Sequence, residues 1–166
     1  MTNPLRVNGK FKLVPLLFHI LIPLVGGRIT GAIISNTLGQ YDKFIKPFFS
    51  PPSWIFSIVW TILYILMGLA AYRIYLIGES GGDSASALFF YYLQLLMNFL
   101  WSFLFFSFRL YGIAFMELIF LFILVVITFI NFVKTDKLAG FLLLPYLLWL
   151  IYAGALNFFI WLLNEA

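Results

Sequence analysis

The sequence contains no cysteine and only one histidine, His19, among its 166 residues. Without thiols the chain forms neither a disulfide nor a thiolate metal site. A single imidazole cannot form a multi-histidine metal centre, and the sequence shows no nucleophile–histidine–acid pattern, phosphate loop or metal cluster. Together these absences argue strongly against the common hydrolytic and metal-dependent mechanisms.

Charged residues are also scarce, at 10% of the chain against about 25% in a soluble domain. Hydrophobic residues make up 64%, and a chain of this size could not bury so much apolar surface in one water-soluble core. The basic residues stand between apolar runs and form no patch, which argues against nucleic-acid binding. The composition therefore predicts an integral membrane protein.

Polar, glycine and proline residues divide the chain into five apolar segments of membrane-spanning length. Backbone polar groups in lipid must be satisfied within each segment, and no strand alternation is present. We therefore expect an all-α integral membrane protein, in which a bundle of five transmembrane helices forms one domain over residues 1–166. The predicted spans are about 13–35, 53–76, 87–108, 113–133 and 138–163.

The distribution of lysine and arginine predicts the orientation of the bundle. One end carries the N-terminus and the second–third and fourth–fifth loops, and it has more basic residues than the other end. The first end has Arg6, Lys10, Lys12, Arg73, Lys134 and Lys137, and the second has Arg28, Lys43, Lys46 and Arg109. The N-terminus is expected inside. The first apolar run is too long for a cleaved signal peptide, and no transit peptide precedes it, which favours a bacterial plasma membrane.

Ionisable residues within a predicted span are candidates for function, because a charge there is costly unless it faces the bundle or water. Glu117 is either hydrogen-bonded between helices or part of a cavity wall. His19 has no second metal ligand at suitable spacing, so we expect a packed, hydrogen-bonded histidine and not a haem or metal ligand. Arg28 lies near the end of the first span and is expected to extend toward the interface.

Three spans each carry aromatic rings and small or amide residues at helical spacing, hence on one face. Such stripes indicate either ordinary interhelical packing or an aromatic-lined cavity with a few polar anchors. The stripes are Trp60, Tyr64 and Gly68; Gln94, Asn98 and Trp101; and Tyr146, Trp149, Ala153 and Asn157. In the first span, Gly27, Gly31 and Ser35 form a small-residue groove, suited to packing within the bundle or to self-association.

Four stretches of the sequence resemble successive signatures of the translocator protein family (TspO/MBR). Bacterial members of this family are called tryptophan-rich sensory proteins, and mitochondrial members the peripheral benzodiazepine receptor. The resemblance covers about residues 20–164. The stretches are "IPLVGGRITGA", "YDKFIKPFFSPPSWIFSIVWTILYILMGLAAY", "YYLQLLMNFLWSFLFF" and "LLLPYLLWLIYAGALNFFIW".

The resemblance implies a five-helix fold, usually dimeric, with a pocket between the helices capped by the first loop. Family members bind porphyrins such as protoporphyrin IX, synthetic isoquinoline carboxamides and, in animals, cholesterol; no cofactor is implied, the porphyrin being a ligand. Some bacterial members degrade the porphyrin in light through two pocket tryptophans, which match Trp60 and Trp149. The other matching pocket positions are Tyr41, Pro51, Tyr64, Asn98, Trp101, Glu117 and Ala153.

This chain departs from the family pattern at several positions. Phe49 replaces the tryptophan before the Pro-Pro pair, and Gln40 replaces one before the Tyr-Asp pair, which removes two indole N–H donors. The end of the chain lacks the tyrosine and terminal basic residue of the proposed sterol motif, which argues against cholesterol binding. The phenylalanine-rich third span lacks the small-residue stripe that some relatives use to form dimers.

Three functions are considered for the chain. The first is a membrane receptor, sensor or carrier that binds a hydrophobic tetrapyrrole or a similar small molecule and forms a homodimer. The second is a light-dependent porphyrin-degrading enzyme that uses Trp60 and Trp149. The third is a structural or partner-binding bundle. In all three the first loop is expected to hold Phe48 and Phe49 over the mouth of the bundle.

Overall fold

The computed structural model describes residues 4–35 and 44–165, which are predominantly helical. Five of the described helical segments are long and apolar enough to cross a membrane. The helices are α1 Leu13–Ile33, α2 Ser53–Gly78, α3 Ala85–Ser102, α4 Tyr111–Thr135, the short α5 Lys137–Phe141, and α6 Leu144–Asn164. A π-helical turn, Phe103–Ser107, extends α3, and α5 and α6 together form the fifth span, Lys137–Asn164.

The observed spans match the predicted ones. Every observed end lies within two residues of the sequence-based estimate. The fold is 79% helical, and the described residues contain no strand. The prediction of an all-α membrane bundle with five spans is therefore confirmed.

The spans form a closed ring in the order α1, α2, α6, α4 and α3. Within each of the pairs α1–α2, α3–α4 and α4–α6 the backbones pack closely, whereas α2 and α6 meet mainly through their side chains. Gly68 of α2 shows how close the first contact is: a Cβ atom there would lie 2.6 Å from the His19 carbonyl oxygen of α1. Small residues at such crossings let helices approach without a hydrophobic driving force.

The N-terminal segment forms a tight turn that the sequence analysis did not predict. Val7 and Lys10 exchange two backbone hydrogen bonds, of 3.2 and 2.9 Å, around Asn8 and Gly9. Both central residues have positive φ, +50° and +77°, which is the conformation for which Asn-Gly pairs are favoured in hairpins. We call Val7–Lys10 the N-terminal hairpin. Its Val7 side chain is buried in a cluster with Leu16 and other residues of α1 and α2.

Arg73 lies within α2, although the sequence analysis counted it among the loop charges. Its Nε and Nη2 atoms donate to Oδ2 of Asp136 at 3.0 and 2.7 Å, and Nη1 donates to the carbonyl oxygens of Pro4 and Arg6 at 2.9 and 3.1 Å. The other carboxylate oxygen of Asp136 accepts the first backbone amides of α5. One buried ion pair therefore joins α2, the α4–α5 junction and the N-terminal segment at a common end of the bundle.

The described part of the first loop, residues 44–52, is attached to α6 at the opposite end. The Asn164 side chain accepts the Ile45 backbone amide at 3.1 Å and donates to its carbonyl oxygen at 2.9 Å. The Tyr152 hydroxyl donates to the Phe49 carbonyl oxygen at 2.9 Å, and the Phe49 ring packs edge-on against Tyr152. Phe48, by contrast, is fully exposed and does not pack against the bundle as Phe49 does.

We expect Arg73→Gln to lower the free energy of unfolding by about 3–5 kcal/mol, because it leaves the Asp136 carboxylate nearly buried without its counter-charge. Unfolding of the detergent-solubilised protein, followed by circular dichroism, measures the loss. Glu79→Gln is the matched control, since Lys12 and Glu79 form an exposed ion pair of 2.8 Å at the same end. The hydrogen bond from Lys12 lowers the pKa of Glu79, but solvent screens the pair, and little change is expected. Equal losses in the two variants would contradict the role given to the buried pair.

Candidate functional site

Four polar side chains from three helices form a continuous hydrogen-bonded chain inside the bundle. The Tyr64 hydroxyl of α2 donates to Oδ1 of Asn98 in α3 at 2.9 Å, and Nδ2 of Asn98 donates to the Tyr146 hydroxyl of α6 at 3.0 Å. The Tyr146 hydroxyl in turn donates a hydrogen bond to Oε1 of Gln94, at 3.1 Å. All four side chains are buried. We call these four residues the polar network.

Two tryptophans lie beside this network, along the line where α2 faces α6. Trp60 stacks on Tyr64 with ring centroids 5.3 Å apart, and it meets Tyr146 edge-on at 6.1 Å. Trp149 follows Tyr146 by one turn of α6 and meets Phe56, one turn before Trp60, at 5.8 Å. We call Phe56, Trp60, Tyr146 and Trp149 the aromatic seam. Because these rings lie between α2 and α6, the backbones of the two helices make little direct contact.

Several buried polar atoms near the seam have no hydrogen-bond partner among the described residues. They include both carboxyl oxygens of Glu117, Nε1 of Trp149 and Nε2 of Gln94. Glu117 also lies within electrostatic range of the Tyr146 hydroxyl. The interhelical hydrogen bond that one interpretation of Glu117 required is therefore not found in the part of the chain that the structure describes. Because buried polar atoms are seldom left unpaired, these groups point to a site for a polar ligand atom.

Trp101 is placed differently from the other two predicted tryptophans. Its Nε1 atom donates to Oδ1 of Asn157 at 3.0 Å, and its ring stacks on Phe105 at 5.0 Å. Asn157 in turn donates to the Tyr111 carbonyl oxygen at 2.9 Å. The Trp101 indole therefore fastens α3 to α6 and α4, and its N–H group is already used.

The remaining predicted site residues are Ala153, Pro51 and Tyr41. Ala153 is buried one turn after Trp149 on α6, and Pro51 is half-buried in the loop just before α2. Tyr41 lies outside the described residues, as does Gln40. Four of the predicted site residues therefore lie together: Tyr64 and Asn98 in the polar network, and Trp60 and Trp149 in the aromatic seam.

Glycines of α1 shape the other side of this site. Gly27 lies so close to the Tyr64 ring that a Cβ atom there would clash, and Gly26 lies equally close to Phe99 of α3. Gly31 has no neighbour within 4 Å of an added Cβ. The predicted small-residue groove therefore packs inside the bundle at Gly27 but does not continue to Gly31, and Gly26, which the pattern did not single out, takes part instead.

His19 is packed and hydrogen-bonded, as predicted. Its side chain is buried, Nδ1 lies 2.8 Å from the Pro15 carbonyl oxygen, and the ring packs against Tyr75 with centroids 5.2 Å apart. The described residues contain no group of three side chains that could hold a metal ion. Arg28 is exposed on the outside of α1, as expected for a side chain that extends to the interface.

Gln94 and Tyr146 belong to the site although the sequence analysis did not include them among the binding residues. The helical spacing placed each of them on a stripe, beside Asn98 and Trp149 respectively. What the spacing did not show is that their polar groups meet, because a hydrogen bond between helices depends on how each helix is rotated about its own axis. Buried amides and tyrosines at stripe positions are the signal that could have identified both.

Five apolar helices that enclose a polar network and an aromatic seam define a multi-pass integral membrane protein. The model of the TspO/MBR family matches residues 19–162, and the chain belongs to that family. It is 44% identical over 119 residues to the tryptophan-rich protein TspO of Archaeoglobus fulgidus, covering 72% of this chain and 76% of that protein.

Two further relatives carry names that describe a function. The chain is 36% identical to the tryptophan-rich sensory protein of Cereibacter sphaeroides over 142 residues, which are 86% of this chain and 87% of the relative. It is also 36% identical to the translocator protein of Bos taurus over 157 residues, which are 92% and 91% of the two chains. The family therefore spans archaeal, bacterial and animal members of similar length.

We expect Tyr146→Phe to destabilise the protein by about 1–3 kcal/mol, because it leaves the Gln94 carbonyl and an Asn98 amide proton buried and unpaired. The loss is measured as a lower unfolding temperature in detergent. Tyr152→Phe is the control, since that hydroxyl bonds only to a loop carbonyl near the surface. A Tyr146→Phe protein as stable as the control variant would show that the polar network does not stabilise the bundle.

Proposed function

We propose that the protein binds a hydrophobic tetrapyrrole, such as a porphyrin, between its helices and acts as a membrane receptor, sensor or carrier for it. The observation that carries this proposal is the combination of the aromatic seam with the unpartnered Glu117 carboxyl and Trp149 N–H group. Ligand pockets typically pair apolar, aromatic walls with a few polar groups that orient the ligand. The names of the relatives, sensory protein and translocator protein, are compatible with such a role.

The residues of the site divide into stacking and anchoring groups. Trp60 and Trp149 offer the flat indole surfaces on which a conjugated macrocycle stacks. The Glu117 carboxyl supplies an anchor for the N–H groups of the ligand, and the Trp149 N–H group donates to an acceptor at its edge. Asn98, held on both sides by Tyr64 and Tyr146, adds a second polar anchor of fixed orientation. Tyr41 and Pro51 belong to the first loop, which we propose closes over the ligand.

We further propose that the protein lies in a bacterial plasma membrane as a homodimer with its N-terminus inside. The orientation rests on the larger number of lysine and arginine residues at the end of the bundle that carries the N-terminal hairpin. The two ends compared in this count are those of the bundle itself: the N-terminal segment and the α4–α5 junction meet at Arg73, and the first loop meets the C-terminal end of α6.

The proposed site predicts that the double variant Trp60→Ala/Trp149→Ala binds protoporphyrin IX at least about tenfold more weakly than the unmodified protein. A factor of ten corresponds to about 1.4 kcal/mol, the scale of one lost aromatic contact. Quenching of porphyrin fluorescence during titration measures the affinity. Trp54→Ala is the matched control, because the Trp54 side chain is 62% exposed and lies before the seam on α2. Equal affinities for the double variant and the control would refute the site.

Light-dependent degradation of the porphyrin is the second candidate function. It is favoured by the position of two electron-rich indoles, Trp60 and Trp149, along the same seam. Illumination of the complex in air distinguishes an enzyme from a receptor. A porphyrin absorbance that decays at the same rate in protein as in detergent identifies a receptor. A faster decay that Trp60→Phe and Trp149→Phe abolish, while binding persists, identifies the enzyme.

A further inference from the structure

A groove of about 570 Å³ opens at the end of the bundle that carries the N-terminal hairpin. Its walls are the segment from Arg6 to Gly9, the last turns of α2 at Arg73 and Ile77, and the α4–α5 junction at Thr135 and Asp136. The aromatic seam contributes no residue to it. Because α2 ends at Gly78 and α4 ends at Thr135, the groove lies where membrane spans end, at the level of the lipid headgroups.

The groove is positively charged. Asp136 is the acid that lines it, and both of its carboxylate oxygens are already engaged, by Arg73 and by the backbone amides of α5. The Arg6 residue is exposed, and only its carbonyl oxygen is used, by Arg73. Lys134 and Lys137 flank the junction and are also exposed. Within the lining, Arg73 balances the charge of Asp136 and Arg6 remains as the excess positive charge, while Lys134 and Lys137 add positive charge beside the groove.

The remaining surface of the groove suits the attachment point of a lipid. Ile77 and Val7 supply apolar surface next to the basic side chains. Asn8 and Gly9 line the groove, and their backbone amides take no part in the two hydrogen bonds that close the hairpin. Amides in such turns are suitable donors to anions. The groove therefore offers cations, amide donors and an apolar wall within one site.

We propose that this groove binds the phosphodiester headgroup of an anionic phospholipid such as phosphatidylglycerol. A phosphate group is the chemistry that the exposed Arg6 guanidinium recognises, since a guanidinium pairs with phosphate oxygens in a bidentate manner. The Arg73 guanidinium is already engaged by Asp136 and by two carbonyl oxygens. The position of the groove at the ends of three spans assigns the phosphate to a lipid instead of a free anion. Basic pockets between membrane helices are typical headgroup sites. A headgroup bound here would join the N-terminal hairpin to α2 and α4.

The test uses the full chain in neutral detergent, titrated with short-chain phosphatidylglycerol while the unfolding temperature is recorded. A ligand that binds only the folded state raises this temperature in a saturable manner. We expect a rise with phosphatidylglycerol at least three times that with phosphatidylcholine, and we expect Arg6→Gln/Lys134→Gln to remove the difference. Arg28→Gln is the matched control, because it deletes an exposed arginine of α1 away from the groove and should leave the rise unchanged.

Native mass spectrometry of protein released from mixed-lipid nanodiscs provides a second measurement that does not depend on stability. We expect phosphatidylglycerol to stay bound to the unmodified protein and to be lost from Arg6→Gln/Lys134→Gln. Equal retention of phosphatidylcholine, or retention that the double variant does not reduce, would overturn the proposal. The same rise in unfolding temperature with inorganic phosphate alone would assign the groove to a free anion and overturn the lipid. Porphyrin binding is expected to be unaffected, so the outcome is independent of the proposed function.

Discussion

Water is absent from the hydrocarbon core of a bilayer, and the rest of this structure depends on that constraint. Each buried polar group must find its partner within the protein. The hydroxyl of Thr128 therefore donates to the Leu124 carbonyl oxygen of its own helix, at 2.8 Å. Other polar side chains find their partners on neighbouring helices, as Asn98 does with Tyr64 and Tyr146 in the polar network. The same constraint makes Arg73 expensive to bury and explains why four of its hydrogen bonds are satisfied by one carboxylate and two carbonyl groups.

The same constraint gives meaning to the groups that do not pair. A carboxyl group such as Glu117 and an indole N–H such as that of Trp149 carry a desolvation cost that nothing in the described residues offsets. Trp149 belongs to the aromatic seam, and Glu117 lies within electrostatic range of its Tyr146. Along the seam, rings hold α2 and α6 apart, and the two backbones do not pack closely. A ligand with a flat apolar body and polar atoms at its centre and edge would satisfy both features at once. A bundle built only for packing would be better stabilised by apolar residues at these positions.

How much the sequence could predict follows from the range of each interaction. The apolar runs were enough to predict the five spans, because hydropathy is a local property of the sequence. Helical spacing was enough to identify Trp60, Tyr64, Asn98 and Trp149 as site candidates. Spacing could not show that Tyr146 and Gln94 complete the polar network, since that depends on the rotation of neighbouring helices. Arg73 was assigned to a loop because it lies near the end of a span, and its burial results from the N-terminal segment folding back over it. Phe48 and Phe49 are adjacent in sequence, yet only Phe49 packs against α6.

The two ends of the bundle are closed by interactions of different strength. At the hairpin end, the buried pair of Arg73 and Asp136 joins three chain segments, and breaking it would leave charges in a poorly solvated place. At the other end, the described part of the first loop is attached through exposed hydrogen bonds between Asn164 and Ile45 and through the hydrogen bond and ring contact of Phe49 with Tyr152. None of these contacts is an ion pair, so losing them leaves no buried charge without its partner. Under the proposed function, a ligand is therefore expected to enter from that end, which suits a receptor or sensor with one opening better than a carrier, which must open at both.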